Sequence, residues 1–343
     1  MNDKINLQLL NDVQKAWLCD LSFVDITIEG CKKINETSIT LKELRNYVKN
    51  PNLPFCGDIF LGAKRFNILT GILLGNNHFP SNLDVVDALI ENGLGNLKII
   101  HTTEYPKPHL SGFQALTFKD SYDNTGISYR GSNLYISRVV IREWLESNIL
   151  EYFSNTSSQV NEAIEYFLKH KNSLGNNYIY GHSLGGNLVS HVFLNCHDEI
   201  KQAFSINGTP INQKLIDTET KTKAFNDKNK FSFNIVCGDI VSQLKSCEIY
   251  KDNVNYIKNN NIMKPSILSA HMIQSSEIDS SGNFVKITEI ETYEQTHKII
   301  IKLINLSKFS REKMNKMNFK LFKCSNKLIK QSEKEIQNSH ISK

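Results

Sequence analysis

A mainly parallel α/β sheet covered by helices on both faces is the fold this sequence predicts, and three observations predict it. From about residue 97 onward, short β-prone runs alternate with longer segments of helical periodicity. One run, Tyr178–Tyr180, passes through a glycine-rich turn directly into an apolar-periodic segment, the sequence form of a strand feeding a helix. The length of 343 residues, 40% of them apolar and 22% charged, suffices for a large core and excludes wholesale disorder.

The first fifty residues carry helical patterning, with Leu41, Leu44 and Val48 on one face of a short helix, and Pro51 and Pro54 then break the chain. Three β-prone runs span 97–105, 112–119 and 124–131, separated by turn signals at Pro106–Pro108 and Tyr122–Thr125. Helices are expected over Ile136–Phe153 and Ser157–His170, then a strand up to the turn at Gly181, then a helix through 187–195. Further strands are expected at Ala203–Ile206, Phe231–Cys237 and Asn283–Ile290, with the polar stretch Asp217–Lys230 as a loop or cap. The pattern divides the chain into a helical N-terminal region packed on the core (1–54), an α/β domain (55–297) and a basic helical tail (298–343).

The net charge of +5 is unevenly spread. Residues 298–343 hold twelve basic and three acidic side chains, a net of +9, which leaves −4 on the rest. In that tail Met314, Met317, Leu321, Cys324 and Leu328 recur at alternating spacings of three and four. A basic amphipathic helix of this kind can contact an anionic membrane surface peripherally; packing on the body or docking a partner are the alternatives. The acidic body and the lack of a recognition motif speak against nucleic acid. Seven scattered cysteines without a CxxC pair speak against a disulfide framework or zinc knuckle and for a reducing compartment. The N-terminus has no uninterrupted apolar stretch of the signal-peptide kind, and windows such as Phe66–Leu74 and Ile299–Leu306 fall short of the roughly 18 residues of a membrane span. A cytoplasmic location is therefore expected, with export independent of a signal peptide as the alternative.

The chemistry concentrates in Gly181-His182-Ser183-Leu184-Gly185, a G-x-S-x-G pattern extended by Gly186. A strand turning abruptly into a helix forces the turn residue into strained dihedrals, and glycines two before and two after relieve the crowding. The serine hydroxyl is left at the tip, where the new helix aims backbone N–H groups and its positive end at a developing oxyanion. His182 reads as a packed residue that shapes this turn. The other upstream histidines, at 78, 101, 109, 170, 191 and 197, show no metal-ligand spacing, and neither a metal nor a cofactor is expected.

Together with Ile127-Ser-Tyr-Arg-Gly-Ser132, which lies 53 residues upstream counted from Arg130 to Ser183, the GHSLGG segment resembles the class 3 lipases and related bacterial lipase-like α/β-hydrolases. The resemblance covers roughly residues 95–290 and implies an α/β-hydrolase fold whose triad follows the chain order Ser, Asp/Glu, His. Ser183 is then the nucleophile. Asp239, in Gly238-Asp-Ile-Val-Ser242 after an expected strand, is similar to the family's acid segment and is preferred over Asp217, Asp227 and Asp252. Downstream lie three histidines. His340 sits in the charged tail and His297 at the start of an apolar run, so His271 is preferred as the base. The oxyanion donors are the backbone N–H of Leu184 and, by resemblance, that of Ser132, whose hydroxyl can add a bond; Arg130 anchors the strand end.

These residues would hydrolyse a carboxylic ester through an acyl-enzyme, and the resemblance implies a lipid substrate such as a phospholipid, lysophospholipid or glyceride. A catalytically inactive scaffold used for binding, and a serine peptidase or acyltransferase, are the competing readings. The sequence leaves the oligomeric state open.

Overall fold

The computed structural model describes residues 4–52, 80–103, 113–130, 157–211, 224–225, 227, 229–239, 242, 250, 253–260 and 273–288. Outside them lie Ser132, His271 and His297, the helix expected over Ile136–Phe153, most of the polar stretch Asp217–Lys230 and the tail 298–343.

The N-terminal region forms α1 (Asp12–Leu21), α2 (Ile28–Thr37), the two-residue strand β1 (Ile39–Thr40) and α3 (Leu41–Leu44), and α4 (Asn82–Leu89) comes next among the described helices. Helix α1 starts at a capping box, with Asn11 Oδ1 accepting from the Gln14 N–H at 2.9 Å and Gln14 Oε1 from the Asn11 N–H at 3.0 Å. The short helix expected around residue 41 is α3 followed by a tighter 3-10 turn at Arg45–Tyr47. Leu41, Leu44 and Val48 are nevertheless all buried.

Strands β2 (Lys98–Thr102), β3 (Ala115–Lys119) and β4 (Thr125–Tyr129) follow, then α5 (Ser157–His170), β5 (Asn177–His182) and α6 (Leu184–Cys196). Strands β6 (Gln202–Ile206), β7 (Phe231–Val236), β8 (Val254–Ile257) and β9 (Lys286–Ile287) complete one nine-stranded sheet among the described residues, ordered β1 to β9 without permutation. The centre, β4 through β8, is parallel. The flanks, β1 to β4 on one side and β8 to β9 on the other, pair antiparallel. This is an α/β-hydrolase fold.

The central strands alternate their side chains between two cores. On one face Tyr178, Tyr180, Phe204 and Ile206 pack with Leu18, Leu21, Val85 and Leu89 from α1 and α4. On the other, Ile127, Ile179, Phe231 and Phe233 pack with Phe167, Val189 and Phe193 from α5 and α6. Burial on both faces explains why the central strands read as short continuous apolar runs. The Ser128 hydroxyl donates to the Leu18 carbonyl and ties α1 directly to β4. Of the strand expected over Asn283–Ile290, Lys286–Ile287 pairs with β8, and Phe284 forms a bridge with Ile278 across a turn in which Asp279 Oδ1 accepts from the Ser281 and Asn283 N–H groups and Gly282 takes φ 78°; residues 289–290 lie outside the described residues. Among the described residues, Cys19, Cys31, Cys196 and Cys237 are buried. No helix of the described residues is long and apolar enough to cross a membrane.

His101 on β2 and His170 at the end of α5 lie tilted against each other, 3.8 Å between ring centroids, with His101 Nδ1 2.9 Å from the Tyr166 hydroxyl. Burial first, then the neighbouring His101 and Lys169, lowers the His170 pKa from 6.5 to about 4. The unfolded chain therefore binds a proton in a range where the native state refuses it. Stability is expected to be full above pH 6.5 and to fall as pH drops towards 4. In urea titrations, His170→Gln should flatten that part of the pH dependence; an unchanged slope would show that other groups carry it.

Candidate active site

All five parallel strands end on one edge, where Arg130, Ser183, Asn207, Asp239 and Asn259 lie just beyond β4, β5, β6, β7 and β8. The carboxyl ends of parallel strands are where ligands bind in open α/β sheets. Ser183 is the hinge between β5 and α6, at φ 59° and ψ −127°, a region that an L-residue occupies only when its surroundings impose it.

Those surroundings are backbone. A side chain on Gly181 would overlap the Gly185 carbonyl, and one on Gly185 would overlap the Tyr129 carbonyl of β4. Both glycines are therefore required by close approach rather than by positive φ. The Ser183 N–H donates to the Ile206 carbonyl at 3.1 Å, and its own carbonyl accepts from the Gly186 N–H at 3.0 Å. Its side chain makes no capping bond to α6. The start of α6 is stitched to the end of β6 by Ser205 Oγ donating to the Gly186 carbonyl and Asn187 Nδ2 to the Thr209 carbonyl. Leu184 opens α6, and the unpaired N–H groups of a first helical turn make up the positive end of the dipole, here beside Ser183.

Asp239 follows β7 through a turn in which Gly238 takes φ 89°. Its carboxylate is fully buried, and Oδ2 accepts from the Ser242 hydroxyl at 2.6 Å and the Ser242 N–H at 3.1 Å. With β6 between β5 and β7, the strand ends leading to Ser183 and Asp239 are about 10 Å apart, two strand spacings. A histidine can bridge that gap.

The model of the Mbeg1-like family matches residues 94–305, more than half of the chain. The chain belongs to the Mbeg1-like family. The match starts after α4 and covers the elbow, Asp239 and the segment of His271. It places the class-level resemblance in this family rather than in the class 3 lipases themselves. Among curated proteins nothing matches. Among solved structures, a triacylglycerol lipase from Penicillium expansum aligns at 14% identity and a TM-score of 0.33, over 58% of this chain and 77% of that one. So loose a superposition bears on nothing further; the fold stands on the strand order and the elbow.

Of the residues singled out from the sequence, Ser183, Leu184 and Asp239 lie at this edge of the Mbeg1-like domain, while Ser132 and His271 fall outside the described residues. Arg130 donates from Nη1 to Gln114 Oε1, faces Asp25 at 3.4 Å and stacks over Phe23, which is an anchoring role. His182 is buried against Asp20 of α1, Nδ1 to Oδ1 at 2.9 Å. Sequence reasoning passes over Asp20. Its one signal is an acid set inside the apolar run Ala16-Trp-Leu-Cys-Asp-Leu21.

Proposed function

We propose that this chain is a serine hydrolase of carboxylic esters, acting through an acyl-enzyme on Ser183. The observation that carries the reading is the backbone of Ser183, held at φ 59° between β5 and α6 by glycines that tolerate no side chain. Such strain persists where a nucleophile must be displayed.

In this reading His271 removes the Ser183 proton as the hydroxyl attacks the ester carbonyl, and then delivers it to the leaving alcohol. Asp239 orients His271 and stabilises its imidazolium. The Leu184 and Ser132 N–H groups hold the oxyanion, and water releases the acid. Two described anchors support His271. The chain leaves β8 at Asn260 and returns at Ile273, where the Asn260 N–H donates to the Ser275 carbonyl at 2.9 Å. Asn259 Nδ2 donates to the Cys237 carbonyl at 2.7 Å, two residues before Asp239. His271 is two residues from Ile273, a reach of about 7 Å. For Ser132 the support is Tyr129, three residues before it, whose carbonyl abuts Gly185.

The acyl group is proposed to be a lipid chain. A series of p-nitrophenyl esters from acetate to palmitate tests this: kcat/KM should rise with chain length to eight carbons or beyond. A steady fall from acetate upward would restrict the enzyme to short esters, and no turnover of any member would remove the hydrolase reading.

A further inference from the structure

The N-terminal helix α1, outside the family-matched segment, supplies a carboxylate that nothing in the proposed triad uses. Asp20 is fully buried. It sits one residue before the end of α1, where the negative end of the helix dipole disfavours an acid. Its Oδ2 has no hydrogen-bond partner. A buried carboxylate at the wrong end of a helix with half its lone pairs unanswered is a costly arrangement, and such groups are kept where they do something.

What Asp20 does contact is the residue beside the nucleophile. Oδ1 lies 2.9 Å from Nδ1 of His182, itself 2% exposed, with the Phe23 ring 5.8 Å from the imidazole. Strand alternation turns Tyr178, Tyr180 and His182 to the face that α1 covers, while Gly181 turns to α6. The imidazole is thus gripped from below while the next residue bears the strained φ of 59°. We propose that Asp20 is a positioning residue for catalysis: its bond to His182 fixes the elbow so that Ser183 Oγ is held in line for attack. This rests on the reading of Ser183 as the nucleophile. It means that the helical N-terminal region is part of the catalytic apparatus, since displacement of a reacting atom by about 1 Å can cost about 100-fold in rate.

The test uses full-length wild type, Asp20→Asn and His182→Asn, at 10 °C, with folding checked by circular dichroism. The progress of Ser183 modification by a fluorophosphonate and the hydrolysis of p-nitrophenyl butyrate are followed. In folded Asp20→Asn, kcat and the maximal labelling rate should fall at least about tenfold while KM stays within about twofold, a split that general loosening of the fold would not give. His182→Asn should show the same split, and the double variant should be no slower than the slower single one. Wild-type rates in folded Asp20→Asn would overturn the positioning role and leave the serine hydrolase intact. Failure of both single variants to fold at 10 °C would also overturn it, by showing that the pair holds the fold rather than the nucleophile. Absence of labelling in the wild type would instead sink the nucleophile reading itself.

Discussion

Ser183→Ala is expected to lower kcat for p-nitrophenyl butyrate by about 10⁴- to 10⁶-fold, the range seen when a nucleophile that works as part of a unit is removed. Folding should hardly notice the change. The Ser183 side chain does not cap α6, and alanine and serine meet the same backbone strain at φ 59°. The bonds that hold the turn come from its backbone: its N–H to Ile206 and its carbonyl from Gly186. Stability should therefore stay within about 0.5 kcal/mol of wild type in urea titration. A variant that folds normally and still turns over the ester would place the reaction elsewhere.

The second large effect separates the two downstream histidines. His271→Ala should lower kcat by about 10³-fold or more, because without a base the serine hydroxyl is a poor nucleophile at neutral pH. His297→Ala should stay near wild type. The distinction comes from strand direction. β9 runs antiparallel to β8, pairing Lys286 with Ile257 and Ile287 with Tyr256, so within β9 the chain runs away from the edge that carries Ser183 and Asp239. Residue 271 belongs to the excursion that starts and ends at that edge, between Asn260 and Ile273. Steady-state kinetics on both variants at pH 8 decides it; inactivity of His297→Ala beside an active His271→Ala would reverse the assignment.

Much of the central sheet was legible in the sequence because its signals are local. Strands β5 to β7 are buried on both faces, so they stand out as apolar runs between polar turns. The elbow was legible for a different reason: the glycines at 181 and 185 answer to steric contacts with Gly185 and Tyr129, and only glycine satisfies them. Asp239 could be found because it follows a strand and a glycine turn. The antiparallel flanks were not legible, since pairing direction depends on connections rather than on residue types. The pairing partners around β9 were not legible either, since Phe284 pairs with Ile278 across a turn that Asp279 closes with its own side chain, while Lys286 and Ile287 pair with β8.

Asp20 was hidden most deeply. Its partner His182 is 162 residues away, and a contact across that separation leaves no periodicity to read. The acid was visible only as a misfit, a charge inside an apolar helix face next to Cys19 and Leu21, both of which are buried. Misfits of this kind, rather than matches to pattern, point to positions where the fold serves chemistry.

Peptide mass mapping after fluorophosphonate treatment shows whether Ser183 is a nucleophile activated by its surroundings. Folded wild-type protein should gain one phosphonyl group, located on the peptide that contains Gly181-His-Ser-Leu-Gly185, and the gain should vanish after heat denaturation and in Ser183→Ala. No adduct on folded wild-type protein, or an adduct on another residue that persists in Ser183→Ala, would contradict the account.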